Sequence, residues 1–298
     1  MPPLPCPQTR EHNLIAFSLF GGNPKYCEVA VLNVQYQPHV YPHWVCRFYV
    51  DDSVPEHVIK RLRASGAQIV PVDGPAAQWP KAMWRFLALD DPQAHRVLFR
   101  DADSLISRRE AEAVEQWLLS GKRFHTMRDH GAHTDLILAG MWGAVAGSLP
   151  LLNKLIQRFM STFPITGIRY FADQDFLRQY VWPYARMSLM QHDSIFGFMD
   201  AVPFPDKEKP DIFHTVGYPV GGVSHDANVK GVFPDGLQVT WSLYRIKELN
   251  DGQPQEEVVC SYASTVQDGV VKMYIPLPYM QWLRQGMIHI RLTGYKAT

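Results

Sequence analysis

Arg96-Val-Leu-Phe-Arg-Asp101-Ala-Asp103-Ser104 is the stretch that decides the fold of this chain. Arg96 to Arg100 reads as a strand around the apolar Val97-Leu-Phe99, and it ends on two aspartates one residue apart. The same form, a buried run closed by polar or glycine residues, recurs upstream. Leu14 to Leu19 ends in Phe20-Gly21-Gly22-Asn23-Pro24, and Val45 to Val50 ends in Asp51-Asp52. Between these runs lie helical signals. Pro55 is followed by Glu56 to Ala64 with Val58, Ile59 and Leu62 on one face, and Gly66 stops it. Gln68 to Val72 predicts a third strand, and Trp84 to Leu89 reads as helical. Strands alternating with helices predict an α/β fold with a mostly parallel sheet flanked by helices. In such sheets ligands bind outside the carboxyl ends of the strands. Gly21-Gly22, Asp51-Asp52 and Asp101-Ala102-Asp103 all fall at such ends.

Downstream, Ser107-Arg-Arg-Glu110 is a capping box opening a helix that Gly121 ends. Strands are predicted over Phe124–Met127 and Leu136–Val145, helices over Leu149–Phe159 and Asp173–Tyr180. A further strand, Met187–Gln191, delivers His192-Asp193-Ser194. After Asp235-Gly236 the pattern becomes strands alone, over 237–246, 257–264, 270–275 and 287–292, with a hairpin turn at Gln267-Asp268-Gly269. The expected domains are residues 1–232, holding the sheet, and 233–298, a small C-terminal β appendage.

Composition narrows the function. The 298 residues carry 29 basic and 29 acidic side chains, which argues against a nucleic-acid partner. Four scattered cysteines, Cys6, Cys27, Cys46 and Cys260, have neither zinc-ligand spacing nor disulfide-scaffold density. No basic-then-apolar leader and no apolar run of transmembrane length is visible, so the expectation is a cytoplasmic protein.

Asp101 and Asp103 carry the sharpest chemistry. Two carboxylates just past a strand reach one hard cation, and Mn2+ or Mg2+ takes oxygen ligands while bridging phosphate oxygens. As a bare pattern Asp-x-Asp is common, and its bland meaning is two solvated aspartates in a loop. Its place at the expected crevice favours the metal. Aspartate-nucleophile phosphatases also use a strand-end Asp-x-Asp. There the motif opens the fold, whereas here three predicted strands precede it. A catalytically silent glycan- or partner-binding module is the non-enzymatic alternative.

Phe99-Arg-Asp-Ala-Asp-Ser104 resembles the Arg/Leu-Asp-x-Asp segment of GT-A glycosyltransferases. Trp84-Arg85-Phe86 is similar to the basic helix that precedes it in that family. Ala139-Gly-Met-Trp-Gly143 resembles the acceptor-side strand, and Ala172-Asp-Gln-Asp-Phe-Leu177 the Asp-Gln-x-x-Leu helix. His192-Asp-Ser194 and Phe213-His-Thr-Val-Gly217 look like late histidine segments. The likeness covers about residues 14 to 222 and is nearest to bacterial enzymes of surface-glycan assembly. It implies metal-dependent transfer of a sugar from a nucleotide-diphosphate sugar, first of all a UDP-sugar, to a glycan or other hydroxyl acceptor.

Carried over, Asp101 and Asp103 bind metal and diphosphate, with His192 as third ligand and His214 as the close second. Arg85 and Arg100 are phosphate or ribose contacts, as His214 is of the donor. Phe20, Gly21, Gly22 and Asp51 lie near nucleobase and ribose. Asp173 and Asp175 are the general-base candidates, although Asp at a helix start is favoured by capping alone. Arg128, Asp129 and His130 are placed to line the sugar pocket, and Trp142 to face the acceptor or fill the core. Surface-glycan assembly also implies peripheral contact with the inner membrane. The apolar strands of the appendage suit a partner subunit, a homodimer or the acceptor.

Overall fold

The structure is a computed structural model that describes residues 12–162, 171–205, 215–222, 224–248 and 254–294. Seven strands form one sheet: β1 His12–Leu19, β2 Trp44–Val50, β3 Gln68–Pro71, β4 Ala94–Phe99, β5 Phe124–Arg128, β6 Trp142–Val145 and β7 Leu189–Asp193. Their order is β3-β2-β1-β4-β6-β5-β7. Only β6 runs against the rest, pairing antiparallel with both β4 and β5. The α/β expectation therefore holds, as a mostly parallel sheet flanked by helices. Leu14–Leu19 is buried throughout, as a strand covered on both faces must be.

The topology sets the crevice. From β1 the chain steps outward through β2 and β3, then returns to the other side of β1 with β4. The carboxyl ends of β1 and β4 thus flank the switch in strand order, the place where open α/β sheets bind ligands. Phe20-Gly21 and Asp101 stand there.

Helix α2, Glu56–Ala64, has the expected bounds. In α3, Arg108–Ser120, the Ser107 hydroxyl accepts from the Glu110 N–H at 3.3 Å, and Gly121 closes the helix with φ +67°. The long helix α1, Pro24–Val40, has no counterpart in the sequence reading. Residues 27–34 are all buried, so it shows no one-sided apolar stripe, and Pro38 lies inside it. The expected strand over 136–145 shrinks to β6, with the chain before it irregular. The helical reading of Trp84–Leu89 holds, as a 3-10 helix over Lys81–Asp90.

Helices α4, Leu152–Thr162, and α5, Ala172–Phe176, continue the layer over the sheet; α5 runs through a π turn at Leu177–Val181 into α6, Trp182–Ala185. Rings knit this side of the core. Trp142 stacks on Phe99 at 4.3 Å between centroids, and Phe176 packs on Phe86 at 5.9 Å and Phe159 at 5.6 Å. Each such pair adds about 0.5–1.5 kcal/mol beyond the area it buries. Trp142 is 1% exposed, so it fills the core and presents no face to an acceptor.

The chain divides into two compact units. The first takes residues up to Gly22 and Ala30–Tyr218; the second takes Asn23–Val29 and the chain from Pro219 onward. In the second unit, β9 Gln238–Glu248 pairs with β10 Pro254–Thr265 and β12 Ile288–Gly294, while β8 Ser224–Asn228 pairs with β11 Val270–Tyr274. Strand β8 and helix α7, Leu277–Arg284, were not foreseen from sequence. Buried Glu28 of α1 belongs to this unit and accepts from the Tyr262 and Tyr279 hydroxyls at 2.6 and 3.1 Å. No helix among the described residues is long and apolar enough to cross a membrane.

Candidate functional site

Arg85 organises the crevice. Its side chain is 3% exposed and reaches both the end of β4 and helix α5. Nη1 donates to the Arg100 carbonyl at 2.9 Å and to Asp101 Oδ1 at 2.5 Å, and Nη2 donates to Asp173 Oδ2 at 3.0 Å. Its backbone N–H donates to the Ser18 hydroxyl of β1 at 2.9 Å. Burial alone pulls the Arg85 pKa down, but Asp101 and Asp173 together hold it above its ordinary value. Asp173 is pushed up, first by burial; Arg85 opposes this and the Asp101 charge adds to it.

Asp101 differs from the other two in being 47% exposed. Its carboxylate occupies the room left by Gly140, where any Cβ would collide with Asp101 Cγ and both oxygens. One carboxylate oxygen is thus fixed by a guanidinium, and the group stays open to solvent at the end of β4. Asp103 lies half-buried in the turn after it, a turn closed by the Ser104 N–H donating to the Asp101 carbonyl at 3.3 Å. The Ser104 hydroxyl donates to the Gly217 carbonyl at 2.9 Å, which ties the described Thr215–Gly217 segment to this turn.

Beside this centre the β1 and β2 loops are joined. The Gly21 N–H donates to the Ser53 hydroxyl at 2.7 Å, Ser53 donates to Asp51, and Lys81 Nζ pairs with Asp51 at 2.5 Å. Partial burial raises the Asp51 pKa, but Lys81 and Ser53 bring it below its ordinary value. Lys81 also sits over the rings of Phe20 and Trp84, at 5.4 and 5.5 Å. Gly21 holds φ +73°, a conformation that side chains rarely adopt, and Gly22 backs onto Pro55. Phe20, 40% exposed, faces solvent there.

Several expectations change. Arg100 is no ligand contact: Nε pairs with buried Glu110 at 3.1 Å, and Nη1 donates to the Phe99 and Trp142 carbonyls. His192 has no ring nitrogen left for a metal. Nε2 faces Oε1 of the exposed Gln116 at 3.0 Å, and Nδ1 faces Nε2 of buried His125 at 2.8 Å. Asp193, next in sequence, accepts from the Ile195 and Phe196 N–H groups. His214 lies outside the described residues. Asp173 spends Oδ2 on Arg85 and Oδ1 on the Gln174 N–H, so it is an anchor and not a free base. Asp175 makes an i,i+3 pair with Arg178 at the surface. Asp129 is bidentate with Arg109 and accepts from the Val216 N–H. Among the described residues no group of three His, Cys, Asp or Glu side chains could hold a metal.

Lys81, Ser18 and Gly140 escaped the sequence reading. Gly140 lay inside the quoted Ala139–Gly143 segment, but its role depends on what faces it. Gln174 works similarly: it accepts from the Ala139 N–H at 2.7 Å and donates to Asp135 at 2.9 Å, holding the loop that carries Gly140.

The buried histidine pair has a measurable consequence. With Gln116 Oε1 as acceptor, His192 carries its proton on Nε2 and accepts from His125 Nε2–H, so both rings are neutral. Burial lowers His192 to about 4; burial first, then His192 and Arg100, take His125 well below its ordinary value. A depressed histidine pKa means the folded state binds fewer protons than the unfolded one. Stability is therefore full above the unfolded value near 6.5 and declines as pH falls toward 4. Melting curves are expected to drop across that window, and His192→Gln to flatten the drop. Equal slopes in the two proteins would refute the assignment.

Neither a family model nor a curated protein sequence matches the chain. Among solved structures, 64% of this chain matches 57% of the mannosyltransferase PcManGT from Pyrobaculum calidifontis, in complex with GDP-Man and Mn2+, at 15% identity and TM-score 0.40. A glycosyltransferase involved in glycosylation of the major capsid of PBCV-1 matches 61% of this chain over 81% of its own, at 17% and 0.39. A 4-diphosphocytidyl-2C-methyl-D-erythritol synthase from Anaerococcus prevotii DSM 20548 matches 67% over 94%, at 10% and 0.40. The chain spans little more than half of the first of these. These likenesses assign no activity, and the functional reading rests on the site.

Proposed function

We propose that the chain is a glycosyltransferase that moves a sugar from a nucleotide-diphosphate sugar to a hydroxyl acceptor at the β1/β4 crevice. The observation that carries this reading is the Asp101 carboxylate, open to solvent yet oriented by buried Arg85 and by the space at Gly140. Asp101 and Asp103 are hard oxygen donors that suit Mg2+ or Mn2+, which draws its remaining ligands from diphosphate and water. Such a cation supplies neutralisation of the charge that develops on the departing nucleoside diphosphate. Arg85, itself enclosed, keeps Asp101 in place, and Asp173 keeps Arg85 in place. Phe20, Gly21, Asp51 and Lys81 form the neighbouring wall, with an exposed ring and both charge signs for base and ribose.

The motif order supports the finer reading, transfer in bacterial surface-glycan assembly by a catalytic domain of residues 1–232. Residues 233–298 then serve acceptor, partner or second copy. His214 is the remaining histidine candidate for the metal, on the likeness of Phe213–Gly217 to a late histidine segment.

The test is thermal stabilisation by UDP, GDP or CMP with and without Mn2+. A saturating nucleotide at a hundredfold excess over Kd is worth about 2.7 kcal/mol. Stabilisation by one nucleoside diphosphate, only with metal and lost in Asp103→Asn, is expected. Indifference to all three nucleotides, or turnover of phosphomonoesters instead, would sink the reading.

A further inference from the structure

A second feature stands on the same edge of the sheet. Strands β4, β5 and β7 run parallel, so Arg128 at the end of β5 lies on the crevice side, two strands from Asp101. At normal strand spacing that is about 10 Å. A cavity of about 210 Å3 opens there, lined by Arg128, Thr134, Leu136, Phe196 and Phe198.

Arg128 is 3% exposed and makes no ion pair among the described residues. Its guanidinium is held by neutral acceptors: the Asp135 carbonyl at 3.1 and 3.0 Å, Gln191 Oε1 at 2.9 Å, and the Leu136 carbonyl. A guanidinium has five N–H groups, and these bonds use four. Burial lowers its pKa, and the charges of Asp193 and Asp135 offset this only in part. The cavity therefore has a positive charge in its wall that no contacting carboxylate cancels.

The opposite wall is built to expose apolar groups. Ile195, Phe196, Phe198 and Met199 are 46, 51, 38 and 51% exposed on the loop after β7. The loop is held in that form. Asp193 accepts from the N–H groups of Ile195 and Phe196, and Gln191 donates to the Phe198 and Met199 carbonyls. The Asp193 N–H donates to the Val202 carbonyl, closing the loop. Met199 and Asp200 both take positive φ, 49° and 56°, in residues that rarely do so. Arg128 lies over the Phe198 ring at 5.3 Å.

We propose that this cavity binds a small amphipathic anion, an apolar ring or chain bearing a phosphate or carboxylate. The anionic group meets Arg128, and the apolar body lies on Phe196, Phe198 and Leu136. As the second ligand site on the crevice side, it takes the acceptor; that assignment rests on the proposed function, whereas anion binding does not. A paired guanidinium and anion in a partly closed site gain a charge-assisted hydrogen bond that a neutral isostere lacks.

Calorimetric titration of the full chain with phenyl phosphate, benzoate and neutral benzyl alcohol tests it. At least tenfold tighter binding of one anion than of benzyl alcohol is expected, and the better anion names the head group. Phe196→Ser, at a half-exposed position, is expected to weaken that binding at least fivefold, as is Arg128→Gln if it folds. Equal binding of anion and alcohol, no binding of any probe, or an unaffected Phe196→Ser overturns the proposal. So does co-sedimentation with phosphatidylglycerol vesicles without phenyl phosphate binding, which would make the loop a lipid-contact surface. Stabilisation by UDP and Mn2+ is read on the same preparation. Anion binding without it leaves this site standing and removes the transferase, and the reverse result removes only this site.

Discussion

Arg85→Met is expected to lower the melting temperature by roughly 10 °C and, on the proposed function, to abolish metal-dependent nucleotide binding. The substitution keeps an unbranched apolar stem and removes the guanidinium, the one group among the described residues at hydrogen-bond distance from both Asp101 and Asp173. Asp173 is 7% exposed, so its carboxylate is left buried without its counter-charge. Breaking one side of a buried pair costs about 3–5 kcal/mol. In a domain of a few hundred residues each kcal/mol shifts the midpoint by about 2–4 °C. Arg85→Lys is not expected to rescue, because a single ammonium cannot span two carboxylates and a carbonyl as a planar fork does. The double variant Arg85→Met, Asp173→Asn removes the stranded charge and is expected to recover about half of the lost stability. If the double variant is instead as unstable as the sum of the two single ones, the ion pair is not the source of the loss.

Gly140→Ala acts on the site with little effect on the fold. Gly140 does not take a positive φ, so alanine is tolerated by the backbone, and the three atoms nearest to the added Cβ all belong to the Asp101 carboxylate. That carboxylate is half-exposed and can swing aside at low cost to stability. It then no longer stands where Arg85 holds it. A displacement near 1 Å in a positioned group costs on the order of 100-fold in rate. Donor hydrolysis and Mn2+-dependent UDP stabilisation are both expected to fall by that order, with the melting temperature of the free protein unchanged within a few degrees. Gly143→Ala is the contrasting case: its Cβ meets the Val97 carbonyl, Leu98 and Trp117, so stability drops by core strain. Wild-type nucleotide response in Gly140→Ala would mean that Asp101 does not hold the cation.

Most strands were legible because each is a short apolar run with a polar or glycine stop. Helices α2 and α3 were legible through their proline, capping box and terminal glycine. Helix α1 was not, because burial on nearly all sides erases the periodicity by which a helix is recognised. The segment before β6 misled for a related reason. Leu136 to Met141 is apolar enough for a strand, yet the Leu136 carbonyl and the Ala139 N–H bond to the side chains of Arg128 and Gln174, and pairing with β5 begins only at the Met141 carbonyl.

The site shows the same divide. Asp101, Asp103, Arg85, Asp51 and Gly21 could be named from sequence because position after a predicted strand or loop is a local property. What each does could not be. Arg85 and Arg100 look alike in sequence, yet one orients Asp101 and the other closes a core network with Glu110 and Tyr41. His192 follows an apolar strand, as a ligand would, but a strand alternates its side chains between two faces. Its face is the one where Gln116 and His125 wait.

Sequence alone determined the α/β class, the strand ends that meet at the crevice, and the pair of aspartates at its centre. These follow from hydrophobic runs and their stops, which are short-range features. Tertiary structure decided which charged side chains remain available for chemistry. Arg85, Asp101 and Asp173 are 16 and 72 residues apart along the chain, and only packing brings their charges within 3.0 Å. A buried charge must find its partner wherever the fold supplies one, so the partners, and with them the roles, are set by the whole molecule.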